Sequence, residues 1–257
     1  MISPELLDSA EGLMLQAARA QGYQQGGAVG IRLLADQLGI AIRTESGQSG
    51  SHAEGLLVAD GARATIHLRQ DDSEVHSNSR ATFTVAHEVA HALFNMAVGR
   101  TPTSQAEYWR LESVCNRVAG KLLVPDDSWP PASELTSAKL VLTTSLRLAT
   151  RLSISRDVVL RRAMDSFSFI SAAGALEVRK HQSKGVIGRT SWVAPDGWNG
   201  LRSGTHITIE NPLWRPLIGG DSGGPWLATA SLGTAQIARI RGARRVHFVA
   251  LESPTPG

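Results

Sequence analysis

Apolar residues recur at helical spacing through the first two thirds of the chain. The clearest stripe is Leu111, Val114, Val118 and Leu122, which predicts a helix over 105–124. Pro125 lacks a backbone N–H and ends it. A second stretch, Phe83 to Phe94, is apolar nearly all round through Val85, Val89, Ala92, Leu93 and Phe94, the pattern of a buried helix. Upstream, Ser3 to Ala20, with Pro4 near its start, and Val29 to Leu38 read as helices. Ile40 to Thr44, Gly55 to Ala59 and Ala64 to Leu68 read as short strands. Downstream, Ser137 to Leu152 and Arg156 to Met164 read as helices, with Ser155 placed to cap the second.

From Phe167 onward the texture changes. Four of the six tryptophans lie there, glycines are frequent, and β-type runs appear at Ala175 to Val178, His206 to Glu210, Gln236 to Ile240 and Val246 to Leu251. The pattern predicts an α+β protein in three parts. Residues 1–133 form a helix-rich domain with a small sheet. Residues 134–166 form a helical segment, of which Leu146 to Met164 resembles a helix-turn-helix unit. Residues 167–257 form a β-rich or α+β region suited to sensing or docking.

The polar residues inside the buried stretch change its meaning. His87 and His91 lie four positions apart, so one helix face can put both imidazoles on a single metal ion, with Glu88 beside them. Burying two imidazoles and a carboxylate without partners is costly, and a metal gives a reason to do so. A pair of structural histidines is the alternative. A catalytic zinc site needs a third protein ligand and an open position. Glu112, on the 105–124 helix, is the best candidate, and Glu107, at the start of that helix, is its rival. One turn on, Asn116 is placed to hydrogen-bond a ligand; one turn back, Tyr108 is placed to donate to a developing oxyanion.

Arg80-Ala81-Thr82-Phe83-Thr84-Val85-Ala86-His87-Glu88-Val89-Ala90-His91, followed by Glu112 to Asn116 and Leu122-Leu123-Val124-Pro125, resembles the ImmA/IrrE metallopeptidase family. The likeness spans residues 15–165 and implies a zincin-like catalytic domain. It implies zinc on His87, His91 and Glu112, with Glu88 as general base. The implied substrate is a cytosolic helix-turn-helix repressor, cut to release mobile-element or stress-response genes from transcriptional control. The sequence departs from the family at Cys115, where a small residue such as Ala is usual, at Val118 for Phe and at Val124 for Met.

Charge divides the chain. Residues 1–138 hold 10 Lys/Arg and 16 Asp/Glu, whereas residues 139–257 hold 16 and 7. The basic half, with Arg156, Arg161 and Arg162 on one predicted helix, suits nucleic acid or an acidic protein. This supports a second reading: a non-catalytic zinc-binding regulator that binds DNA or a repressor through its basic half. Gly220 to Pro225 copies the nucleophile motif of trypsin-like serine proteases around Ser222. His87 lies in a helical run, however, and only 35 residues follow Ser222, so the motif reads as a turn. The single cysteine excludes an internal disulfide and fits a reducing cytosol. No apolar run is long enough to span a membrane, and acidic Glu5, Asp8 and Glu11 argue against a signal peptide. Of the remaining histidines only His67, on a strand near the motif helix, invites attention.

Overall fold

The computed structural model describes residues 4–46, 55–60, 63–70, 77–181, 185–195, 198, 201–208, 227–232, 235–241 and 245–252. Among these the fold is α+β. The helices are α1 (Pro4–Ala20), α2 (Gly27–Gln37), α3 (Ser77–Val98), α4 (Gln105–Leu123), α5 (Ala138–Leu152) and α6 (Arg156–Ser166). Strands β1 (Ile40–Ser46), β2 (Gly55–Asp60) and β3 (Arg63–Gln70) form one sheet. Strands β4 (Ile170–His181), β5 (Gly185–Ala194), β6 (His206–Thr208), β7 (Leu227–Leu232), β8 (Ala235–Arg241) and β9 (Arg245–Glu252) form another. None of the described helices is long and apolar enough to cross a membrane.

The chain divides into two compact units. One comprises Met1–Ser128 with Thr150–Ser155, the other Trp129–Ala149 with Arg156–Gly257. The segment expected to be one helical piece, 134–166, therefore contributes to both.

In the first unit α1, α2, α3 and α4 pack together through Met14, Ile31, Leu34, Leu93, Phe94 and Leu122, all essentially inaccessible to solvent. Each such side chain contributes about 1.5–3 kcal/mol, more than any helix gains from its own propensity. Glu11 of α1 ties this helix to α4, accepting from Arg117 Nε at 2.9 Å and Lys121 Nζ at 2.6 Å. Burial opposes ionisation of Glu11, but Lys121 and Arg117 outweigh it and hold the carboxyl below its usual range. The Tyr23 hydroxyl donates to the carbonyl of Leu122 near the end of α4. The small sheet runs β1-β3-β2, with β1 parallel and β2 antiparallel to β3, so β2 forms an edge.

In the second unit six strands run antiparallel in the order β6-β5-β4-β9-β8-β7. Leu176, Val193, Ile207, Ile237, Val246 and Phe248 build a core on one face, with Trp198 stacked on Phe248. Gly174 lies between Val193 and Phe248 in register, and a Cβ there would meet the Phe248 ring at 2.6 Å. Trp192, Ala175 and His247 are paired across β5, β4 and β9 and so share the opposite face. Helix α6 lies on it. Its Arg161 stacks 4.5 Å over Trp192, and Asp157 accepts from His247 Nε2 at 3.0 Å and Arg245 Nη1 at 3.2 Å.

Of the runs expected from sequence, Ala175 to Val178, Gln236 to Ile240 and Val246 to Leu251 fall within β4, β8 and β9, and His206 to Thr208 forms β6 while 209–210 lie outside the described residues; β5 and β7 were not anticipated. Gly185, Gly188 and Arg189 interrupt the apolar pattern of β5, and β7 is mostly small residues. Pairing with neighbouring strands, not propensity, makes them strands. The Gly220–Pro225 run lies outside the described residues.

Candidate metal centre

The motif helix is not uniformly buried. Along α3, Val85, Ala86, Val89, Ala90, Leu93 and Phe94 are buried, but Phe83, Thr84, His87, Glu88, His91 and Ala92 are only half-buried. Those positions repeat in pairs four apart and trace one stripe along the helix. The stripe carries every polar group of the motif.

Strand β2 passes over this stripe. Gly55 lies so close to it that a Cβ would sit 2.2 Å from Thr84 Cγ2. Two residues on, the backbone N–H of Leu57 donates to the Glu88 carboxylate. Burial, helped by the charge of Glu112, pushes the Glu88 carboxyl up; His87 and the Leu57 hydrogen bond only partly oppose this. Glu88 is thus a fixed, half-buried carboxylate with raised proton affinity.

Helix α4 supplies the third donor. Glu112 Oε2 lies 3.1 Å from His87 Nε2, and its Oε1 lies 3.2 Å from His91 Nε2. The two Nε2 atoms are themselves 3.1 Å apart. A tetrahedral zinc site with bonds of about 2.0–2.1 Å has ligand–ligand edges of about 3.3 Å, so this triangle has the size zinc requires. Burial and the nearby His87 push the pKa of His91 down, against the pull of Glu112, which favours the neutral imidazole that ligates metals. His87, His91 and Glu112 form the group able to hold a metal ion among the described residues.

Ser104 caps α4 by accepting from the Glu107 N–H at 3.2 Å, while Glu107 Oε2 accepts from Thr103 N at 2.9 Å and Thr103 Oγ1 at 3.2 Å. The rival carboxylate is therefore a helix-capping group. Tyr108 is exposed, yet its hydroxyl hydrogen-bonds Glu112; the Glu112 charge, with burial and Glu88 adding to it, pushes its pKa up and keeps it a donor. Asn116 is exposed and makes no hydrogen bond to the three donor residues. His67 lies on β3, outside the cluster. Cys115, whose place in the sequence assigns it no role, is buried on α4. The structure places it against the far side of His91, with Sγ 3.5 Å from Nδ1.

The profile of a peptidase family, Peptidase_M78, described as the IrrE N-terminal-like domain, matches residues 35–164, half of the chain, including all four motif residues. The chain belongs to this family. Its IrrE N-terminal-like domain begins near the end of α2 and ends within α6. Membership makes it a protein of metallopeptidase type, and the His-His-Glu cluster fits the metal that such a domain holds. No curated protein matches the chain. Among solved structures, a Mycobacterium tuberculosis transcriptional regulator has a similar fold at 13% identity, covering 94% of this chain and 76% of that one with a TM-score of 0.52. At that identity the likeness concerns the fold alone.

Proposed function

We propose that this IrrE-like protein is a zinc-dependent endopeptidase that cleaves a helix-turn-helix transcriptional repressor in the cytosol. Cleavage would release mobile-element or stress-response genes from control. The observation that carries the reading is the triangle of His87 Nε2, His91 Nε2 and Glu112, with Glu88 held beside it.

His87, His91 and Glu112 are the residues that would hold zinc. Zinc bound there supplies a Lewis acid for the scissile carbonyl and makes water acidic enough to attack at neutral pH. Glu88 takes the proton from the attacking water and passes it to the leaving amine. Its raised proton affinity suits a group that must first accept and then release a proton. The Leu57 N–H orients the Glu88 carboxylate throughout. Tyr108, a neutral phenol beside Glu112, donates to the carbonyl oxygen as it gains negative charge.

The second reading, a non-catalytic zinc-binding regulator that binds DNA or a repressor through the basic half of the chain, gains little support from α6. Arg162 is buried and bonded to Ser166 Oγ at 2.6 Å, and Arg161 is stacked on Trp192. Both are used within their own unit. The test of the peptidase reading is elemental analysis of the purified chain, followed by incubation with a helix-turn-helix repressor with and without a chelator. Stoichiometric zinc and chelator-sensitive cleavage are expected. A chain without zinc, or cleavage indifferent to chelator, would defeat it.

A further inference from the structure

Helix α4 meets His91 at both of its ring nitrogens. Glu112 and Cys115 are three positions apart and so lie on one face of α4. Glu112 Oε1 stands 3.2 Å from Nε2, and Cys115 Sγ stands 3.5 Å from Nδ1. Sulfur contacts are longer than those of oxygen, and Cys115 is fully buried, so no solvent competes for Nδ1 on that side.

We propose that Cys115 is the positioning residue of His91, accepting the Nδ1–H and so fixing the tautomer whose Nε2 lone pair faces His87 and Glu112. The proposal rests on the zinc reading above. A neutral imidazole has one proton; when Nε2 binds a metal the proton is on Nδ1 and needs an acceptor. Metal-binding histidines ordinarily give that proton to a carboxylate, a backbone carbonyl or water. Here the acceptor is a thiol sulfur. A thiol sulfur is a weak acceptor, and at 3.5 Å it stands within reach of the Nδ1–H.

His87 sharpens the argument. Its Nδ1 is buried without a hydrogen-bond partner among the described residues. Among the described residues, Cys115 is the protein group that stands against the far nitrogen of either imidazole, and that imidazole is His91. Cys115 thus orients His91, and α4 supplies both Glu112 and the group that aims His91 at the same point. The thiol stands on the Nδ1 side and is not itself a member of the metal-holding group.

The experiment uses the full chain. Zinc affinity is measured by competition with a chromophoric chelator for wild type, C115A and C115S. In parallel, nitrogen NMR of the histidine-labelled, zinc-loaded wild type follows the His91 Nδ1–H. We expect C115A to weaken zinc binding about tenfold, the lower end for loss of such a partner. C115S, which keeps an acceptor, should lie between C115A and wild type. The wild-type Nδ1–H should exchange slowly with solvent. Zinc affinity unchanged in C115A overturns the inference and leaves the zinc site standing. If C115A does not fold, the wild-type spectrum decides: a protected Nδ1–H supports the role, and a fast-exchanging one overturns it. A wild-type chain that binds no zinc defeats both this inference and the proposed function.

Discussion

The backbone N–H of Leu57, on the edge strand of the small sheet, donates to the carboxylate of Glu88 on the motif helix. One hydrogen bond thus joins the sheet to the side chain proposed as general base. Glu88→Gln keeps the shape of the side chain but cannot accept the proton. Zinc content should stay at the wild-type level while kcat falls by about 10²–10⁴-fold. Undiminished cleavage by this variant would remove Glu88 from the mechanism.

Glu112 and Glu107 lie five positions apart on α4 and should fail in different ways. Glu112→Ala removes a ligand and should weaken zinc binding by at least about 100-fold, the upper end for loss of an outer partner. Glu107→Ala removes a cap and should cost about 1 kcal/mol of stability with zinc binding unchanged. Chelator competition and thermal melting on both variants separate the roles. Equal zinc affinities would place the third ligand elsewhere.

Tyr108 hydrogen-bonds Glu112 from an exposed position. Tyr108→Phe should lower kcat by up to about 10²-fold and leave zinc affinity and KM near wild type, as expected of a donor that acts on the transition state. A loss confined to zinc affinity would make Tyr108 a support for Glu112 instead.

Most of the site was legible because its signals are local. The spacing of His87, Glu88 and His91 is fixed by helix geometry, and the stripe of the next helix marks the element that carries both candidate third donors, Glu112 and Glu107. The choice between Glu112 and Glu107 was not legible from spacing alone; it turned on Thr103 and Ser104 occupying Glu107. Nor was the half-buried stripe of α3, since its alanines and β-branched residues read the same on every face until β2 is laid across one of them. Strands β5 and β7 were missed for a related reason: their stabilisation lies in their neighbours.

Gly55 is where β2 approaches α3 most closely. Gly55→Val should destabilise the first unit by about 1–3 kcal/mol, because nothing larger than hydrogen fits against Thr84. Thr84→Ser removes the methyl in the way, so the double variant should recover part of the loss. Denaturant melts of the four-member cycle measure this. Strictly additive losses would show that the contact does not limit the approach.

Asp157 predicts an acid-sensitive second unit. Burial raises the pKa of its carboxyl, but the hydrogen bond and charge of His247, with Arg245, outweigh this and hold it below the ordinary 3.8. A carboxyl whose folded pKa is depressed contributes its full stability above the unfolded value, and loses it as pH falls through the folded one. Asp157→Asn should therefore cost about 1–3 kcal/mol at neutral pH, and the gap to wild type should narrow below about pH 3.8. A gap that stays constant from pH 7 to pH 2 would contradict this account.

The place of β9 has a consequence for the order in which the protein is made. It is the last of the described strands in chain order, yet it lies between β4 and β8. Before a nascent chain reaches Arg245, the described strands of this sheet form two separate ribbons, β6-β5-β4 and β8-β7, each with an unpaired edge where β9 belongs. The residues grouped with the metal-holding cluster end at Ser155. As the ribosome advances, His87, His91 and Glu112 therefore emerge well before the strand that joins the two ribbons.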